Sequence, residues 1–313
     1  MSKDRLIIVG AGMAGLLAAN MLRHRNPVIY ESQPELPNNH SAVLRFRTPL
    51  VGEVLGIPFK RVKVIKATLP WRNPVADAIS YSVKNTGKYR SDRSLPTTPE
   101  IVERWIAPPD LVERMASGVQ IVLGHLFNFS LHKEKVISTI PMSSLMRSLE
   151  YSNIPDFETN DAMNIKAKIR DCDAYVSLYV PGNNQLFSRI SITGDELIAE
   201  CIGANGVDLP SDELMELAAL AADLVGVNRR SFHRVSYSRQ RYAKIAPIDE
   251  HQRKSFIFWA SSVTGRAFSL GRFATWRPGL LMDDLVKDVR LINSWIESGT
   301  PGYEMDIHHG RSK

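Results

Sequence analysis

Cysteine is nearly absent: Cys172 and Cys201 are the only two in 313 residues. That scarcity excludes a disulfide-stapled scaffold and zinc sites built on paired Cys-x-x-Cys motifs, and it fits buried thiols in a reducing cytoplasm better than a bridge. No apolar run approaches the ~20 residues that a membrane-spanning helix needs. HExxH, GxxxxGK(S/T) and G-x-S-x-G are all missing, so zincin hydrolysis, P-loop phosphoryl transfer and α/β-hydrolase chemistry have no support, and no metal-ligand pattern stands out. Internal repeats and low-complexity tracts are missing too. The first apolar strand begins within five residues of the N-terminus, from which we expect no signal or transit peptide and a cytoplasmic protein.

What is present describes a globular chain with ample core. Its hydrophobic content of 44% and charged content of 23% suit a soluble globular protein, and its length suits two domains. The net charge of +6 favours anionic partners. It is unevenly spread. Between Arg45 and Arg72 lie seven basic residues and one acid, Glu53, an excess equal to that of the whole chain. Arg61–Lys66 (RVKVIK) partly alternates charge with apolar residues. It reads as a strand with one wet face or as an anion-binding surface that could meet DNA.

The most informative stretch is RLIIVGAGMAGLLAANMLRHRNPVIYE, Arg5 to Glu31. Leu6–Val9 reads as a buried parallel strand. Gly10, Gly12 and Gly15 form GxGxxG, with Ala11, Met13 and Ala14 between them, at the turn into a helix over roughly Met13–His24. Pro27–Tyr30 reads as the next strand, followed by Glu31 and Ser32. Gly10 permits the tight turn, Gly12 lets backbone amides approach a pyrophosphate, and Gly15 lets helix and strand sit close. The helix N-terminus presents free N–H groups and the positive end of its dipole to that phosphate. Glu31, 21 residues after Gly10, is placed to accept hydrogen bonds from an adenosine ribose and to repel a 2′-phosphate. FAD or NAD is therefore favoured over NADP.

The rest of the chain is read more coarsely. Residues 32–49 form a loop containing His40, Arg45 and Arg47, candidates to face a cofactor or substrate. Gly52–Phe59 is expected to turn, residues 67–100 to be irregular or in short strands, and Ile101–Met115 to carry one or two short helices. Strands are predicted at Val119–Leu123, Phe127–Leu131 and Lys135–Ile140, with a helix at Ser143–Leu149. Asn164–Ile202 alternates apolar and polar residues between turn signals, which predicts antiparallel hairpins. Ser211 is the predicted N-cap of a helix over Asp212–Val225. Strands follow at Arg234–Ile245 and Phe256–Ala260 (FIFWA), and a helix at Leu280–Glu297. The expected fold is α/β: a discontinuous Rossmann-type nucleotide domain (1–60, 116–150 and 250–302), an inserted mixed or antiparallel-sheet substrate domain (61–115 and 151–249), and a loose tail (303–313).

Three anchors, IIVGAGMAGLLAA with Glu31, VISTIP at Val136–Pro141 and LGRFATWRPGLLMDD at Leu270–Asp284, occur in an order that resembles the flavin fold shared by amine oxidases and UDP-galactopyranose mutases. The resemblance spans most of the chain and implies FAD as cofactor. It places Gly271 and Arg272 on the flavin side of the pyrophosphate. It sets Met282 and Asp283, at the start of the last helix, against the pyrimidine edge, where the helix dipole would favour reduced flavin by about 0.3–2 kcal/mol. Substrate residues do not carry over. The amine oxidases have Gly-Gly-Arg where this chain has Asn38, Asn39 and His40, and the mutases have a tyrosine where it has Trp276, Arg277 and Pro278.

Asn38-Asn39-His40 followed by Arg45-Phe46-Arg47 also resembles small flavoproteins of tailed bacteriophages, some implied in oxidising amine-bearing thymines during DNA base hypermodification. Together these resemblances imply an FAD-dependent oxidase of a C–N bond, transferring hydride to flavin with oxygen as reoxidant. The alternatives are a sugar-nucleotide mutase using reduced FAD and a nucleotide-binding module without turnover. Tyr242, Trp259, Phe268, Phe273 and Trp276 are candidate aromatic walls, and Lys244 or Tyr242 is a candidate to order a water at the flavin.

Overall fold

Short apolar runs and alternating runs sort into two different sheets. The computed structural model describes residues 5–36, 44–69, 73–91, 94–132, 134–182, 185–203, 210–264 and 267–298. In chain order the elements are β1 (Ile7–Val9), α1 (Met13–Met21), β2 (Val28–Tyr30), β3 (Arg45–Phe46), α2 (Leu50–Leu55), β4 (Lys60–Thr68), α3 (Pro74–Thr86), β5 (Glu100–Ile106), α4 (Leu111–Ala116), β6 (Gln120–Val122) and β7 (Val136–Ser138). There follow α5 (Met142–Ser148), β8 (Thr159–Ile169), β9 (Ala174–Tyr179), β10 (Phe187–Gly194), β11 (Glu196–Ile202), α6 (Ser211–Asp223), β12 (Phe232–Ile245), α7 (Glu250–Phe258), β13 (Ala267–Ser269) and α8 (Met282–Ser298).

The first sheet has the order β13-β7-β1-β2-β6 and every pair is parallel. All its strands but the edge strand β6 are buried on both faces, which is why IIV, VIY and VIS lack polar alternation. Ile8, Ile29, Ile137 and Phe268 pack with α1 and α8, while Ile7, Val9, Val136 and Ala267 pack with α5 and α7. Each fully buried isoleucine here contributes about 1.5–3 kcal/mol. The carboxyl ends lie level, with Val122, Tyr30, Val9, Ser138 and Ser269 in one register row. The chain winds outward from β1 through β2 on one side and places β7 and β13 on the other. The crevice beyond β1 and β7 is thus the switch point, where α/β sheets bind ligands.

The second sheet has the order β12-β8-β11-β10-β9-β4-β5-β3 and is antiparallel except for β4–β9. The predicted hairpins of residues 164–202 are its centre. One face is apolar: Ile165, Leu178, Ile190 and Ala199 pack under Leu214, Ala218 and Ala222 of α6. The opposite face carries a polar row, Thr68, Tyr179, Arg189, Glu200, Asn164 and Ser238, running across six strands. β3 already belongs to this sheet.

Several expected elements differ. FIFWA is helical, not a strand. Asp249 caps α7 by accepting from Gln252 N at 2.9 Å, and Phe256, Ile257 and Ala260 bury one helical face while Phe258 is exposed. Residues 67–100 contain α3, a helix with legible ends: Asn73 accepts from Val75 N and Ala76 N, Pro74 opens it and Gly87 closes it. Its inward face includes Asp77, Ser82 and Asn85, so no apolar stripe announced it. Gly52–Phe59 holds α2, and the region from Ile101 gives a strand before its helix. Phe127–Leu131 is an irregular segment whose Phe127 and Phe129 are buried. Ser211 lies inside α6, and Pro210 occupies the cap position.

Candidate functional site

At the carboxyl end of β1 the glycine turn is fixed from three sides. Gly10 has a φ of +100°, and its N–H donates to Tyr30 O at 2.8 Å. A Cβ at Gly10 would overlap the Thr139 hydroxyl, which donates to Val9 O (2.9 Å) and Gly10 O (3.1 Å). A Cβ at Gly15 would overlap Gly10 O, so Gly15 is what allows α1 to press against the turn. Gly12 is different: a Cβ there meets nothing within 4 Å. It is the N-cap of α1, where no side chain caps the helix and no acid occupies the first turn. The first-turn N–H groups, those of Met13, Ala14 and Gly15 among them, lack carbonyls within the helix, and the space before Gly12 is open. This arrangement fits a pyrophosphate.

Glu31 is buried at the end of β2, 8% exposed. Its Oε2 accepts from Ala11 N at 2.7 Å, and its Oε1 accepts from Gln33 N at 2.9 Å and from the Ser32 hydroxyl at 3.2 Å. A carboxylate has about four lone-pair sites, so capacity remains for a ribose hydroxyl, and the Ser32 hydroxyl can rotate away. The carboxylate therefore both orders the glycine loop and fits the ribose end of a dinucleotide.

The third anchor reaches the same place. Gly271, with a φ of +102°, lies just past β13, and a Cβ on it would sit 2.9 Å from Ala14 Cβ. The turn after β13 thus abuts the first turn of α1. Arg272 Nη2 donates to Ala243 O of β12 at 2.8 Å, which ties this turn to the second sheet. Met282 is half-buried against the core around α1 and α8. The first turn of α8 carries Asp283 and Asp284. Asp283 accepts from Thr48 N and Oγ1, both at 2.9 Å, and Asp284 accepts from Arg47 Nη2 at 2.5 Å. Two carboxylates at this helix start offset part of its positive end.

Across from these turns lies the polar face of the second sheet. Lys244 Nζ donates to Glu200 Oε1 at 2.8 Å, and Arg189 Nη2 lies 3.3 Å from Glu200 Oε2. Burial opposes ionisation of Glu200, but Lys244 and Arg189, with bonds from Lys244 and Ser188, hold its carboxyl down to about 2. Burial pushes Lys244 down to about 8 against the pull of Glu200, and Arg189 and Arg272 add to the depression. The Lys244 ammonium is thus near Arg272, between the two sheets.

No protein-family model and no curated protein matches this sequence. Solved structures do. A reduced UDP-galactopyranose mutase aligns with a TM-score of 0.67 at 12% identity over 97% of this chain and 97% of that one. L-proline dehydrogenase from P. horikoshii aligns with a TM-score of 0.58 at 10% identity over 97% and 96%. Glycine oxidase from Geobacillus kaustophilus aligns with a TM-score of 0.52 at 15% identity over 90% and 94%. The chain has the Rossmann-type flavoprotein fold.

Within that fold, the structure brings Gly10–Gly15, Glu31, Ser32, Gly271 and Arg272 around one crevice, with Met282 behind it. Arg45 is half-buried and reaches Val176 O of β9 at 3.4 Å. Arg47 is engaged by the acids of α8. Tyr242 points outward, 57% exposed, in the bulge between Gln240 and Lys244. Trp276 is sequestered, with its indole N–H donating to Ala246 O at 2.8 Å and its ring against Phe157. Phe268 is core, and Trp259 packs at a tilt against Tyr151 and Phe256. His40 lies outside the described residues. The sequence reading missed Tyr179, Arg189 and Glu200. Their signal was the period-2 run of polar positions in β9, β10 and β11, on the face opposite α6, where Tyr81 of α3 sits edge-on to Tyr179. Among the described residues, no group of acidic, histidine and cysteine side chains could hold a metal, and no helix is long and apolar enough to cross a membrane.

Proposed function

We propose that the protein is an FAD-dependent oxidoreductase that oxidises the C–N bond of an amine or amino-acid-type substrate. The observation that carries this is the closure of one cradle by three distant segments: the glycine turn with its open first-turn amides, Glu31, and Gly271 packed on Ala14. The Gly10–Gly15 loop would hold the pyrophosphate, Glu31 and Ser32 the adenosine ribose, and Gly271, Arg272 and the start of α8 the flavin end. When bound, FAD supplies the acceptor for two electrons and a proton. The chain supplies the rest. Lys244, with its pKa depressed to about 8, is neutral above that pH and can then take the proton from an ammonium substrate, while Glu200 stays ionised and holds Lys244 in place. An amine-bearing thymine, free or in DNA, is one member of this substrate class, supported by the resemblance to the phage flavoproteins.

A second reading, a sugar-nucleotide isomerase that works only with reduced FAD, is favoured by the likeness to the mutase over nearly the full length of both chains. The deciding experiment is an absorbance spectrum of the purified protein followed by anaerobic addition of amines, amino acids and aminated thymine nucleotides. Flavin bands that bleach support amine oxidation. Bands that persist, with interconversion of UDP-galactose isomers only after dithionite, support the isomerase. A colourless protein that binds NAD overturns both.

A further inference from the structure

Parity of the strand registers puts Arg45 of β3, Arg104 of β5 and Arg189 of β10 on the same face of the second sheet as Tyr179 of β9. Arg45 stands opposite Ile106, two residues from Arg104, and Arg104 stands opposite Val62. Val62 shares a face with Thr68, and the row Thr68–Tyr179–Arg189 continues it. The Tyr179 phenol is within electrostatic reach of all three guanidinium groups.

The charge is not balanced locally. Among the described residues, Glu200 is the one carboxylate within ion-pair distance of any of the three, and it is shared with Lys244. Arg45 donates to a carbonyl, Val176 O, at 3.4 Å, and Arg104 to a carbonyl, Glu103 O, at 2.6 Å. Asp283 and Glu100 act on Arg104 only at longer range. Among the described residues, Arg189 Nε is buried with no hydrogen-bond partner, and so is the Thr68 hydroxyl two places along the same row. Burial above all, with Arg189 and Arg104 adding to it, lowers Arg45 to about 10, so a desolvated guanidinium stands beside two others. A fold keeps such repulsion only where something else offsets it.

We propose that Arg45, Arg104 and Arg189, gathered round Tyr179, form a binding site for the oxyanion of the substrate, a carboxylate or a phosphate. Guanidinium forks match both groups bidentately, and the orphaned Arg189 Nε and Thr68 hydroxyl are donors left for them. The site lies on the face that carries Glu200 and Lys244, so it would fix the anionic end of a substrate whose reacting end lies at the crevice. What the anion belongs to rests on the proposed flavin chemistry; the site itself does not.

The test uses the purified protein with whatever cofactor it carries. Thermal melting is followed in sodium phosphate and in sodium acetate, with sodium chloride at matched ionic strength, for the wild type, Arg45→Met and Arg104→Gln. The expected result is a saturable, anion-specific rise in Tm for the wild type that either variant loses. Arg45→Met should also melt above the wild type in chloride, because it removes an uncompensated charge. A rise with phosphate alone assigns a phosphate-bearing substrate, and a rise with acetate assigns a carboxylate. If no anion outdoes chloride, or if Arg104→Gln and a folded Arg45→Met keep the full rise, the proposal is overturned. Flavin absorbance on the same samples reads cofactor binding separately, so a failure of the flavin reading would be seen independently of this site.

Discussion

Gly12 and Gly15 stand three residues apart in one motif and do different work. At Gly15 a methyl group would collide with Gly10 O, whereas at Gly12 it would enter open space. Gly15→Ala should therefore destabilise the fold, by about 1–3 kcal/mol for an overpacked contact, and lower Tm with or without flavin. Gly12→Ala should melt with the wild type in the absence of flavin yet copurify with far less of it. Differential scanning calorimetry beside flavin absorbance separates the two effects, and a Gly12→Ala protein with full flavin content would remove the cradle from this loop. Lys244 carries a second prediction at this scale. A base must be neutral to accept a proton, and burial lowers Lys244 to about 8. The rate of anaerobic flavin bleaching by an amine should rise with pH through about 8 and flatten above it. Lys244→Met should lose that limb while keeping its flavin spectrum. A limb that survives the substitution assigns the proton to another group, such as the substrate amine itself.

At the scale of elements, Glu200 of β11 pairs with Arg189 of the adjacent β10 on one side and, reaching across β8, with Lys244 of β12 on the other. Its folded pKa of about 2 lies below the ordinary 4.5. The unfolded chain therefore binds the proton first, and the stabilisation is complete above about pH 4.5 and lost as the pH falls toward 2. Glu200→Gln should be less stable than the wild type at pH 7 and show a shallower loss across that acid window in urea titrations. Equal acid slopes in the two proteins would mean that other carboxylates carry the transition. The same element shows why some of the molecule was legible beforehand and some was not. β1, α1, β2 and Glu31 declared themselves because each residue obeys a local rule, and the hairpins did so because alternation is local too. The polar row was visible as alternation, but water and a second sheet leave the same mark on a strand. FIFWA was ambiguous for a related reason, since a short apolar run suits either a buried strand or a buried helix, and only the Asp249 cap, which the sequence reading passed over, favoured the helix. The inward face of α3 is polar because Asp77, Ser82 and Asn85 are buried, and Asn85 Nδ2 donates back to Tyr81 O.

At the scale of the whole molecule, the basic excess between Arg45 and Arg72 is largely met by acids distant in sequence. Arg61 pairs with Glu103, Lys66 with Glu100 at 3.2 Å, Lys60 with Asp173 at 3.9 Å and Arg47 with Asp284 at 2.5 Å. Surface pairs of this kind contribute little stability, about 0–1 kcal/mol each, but they remove charge that a polyanion would meet. Duplex DNA should accordingly bind weakly through this stretch. Glu100→Gln combined with Glu103→Gln should tighten binding and steepen the dependence of log K on log salt by up to about 2, at ~0.9 per added phosphate contact. Fluorescence anisotropy at several salt concentrations reads both quantities. An unchanged slope would show that β4 and β5 do not face nucleic acid.

The turn between β1 and α1 is held by Thr139 and abutted by Gly271, residues about 130 and 260 positions further along the chain. During synthesis, at roughly 5–20 residues per second, β1 leaves the ribosome many seconds before either of them. In that interval the nascent β1 has β2 beside it but not β7. The dinucleotide cradle is therefore a late product of translation, and a chain truncated before β13 would carry the glycine motif intact without the wall that completes it.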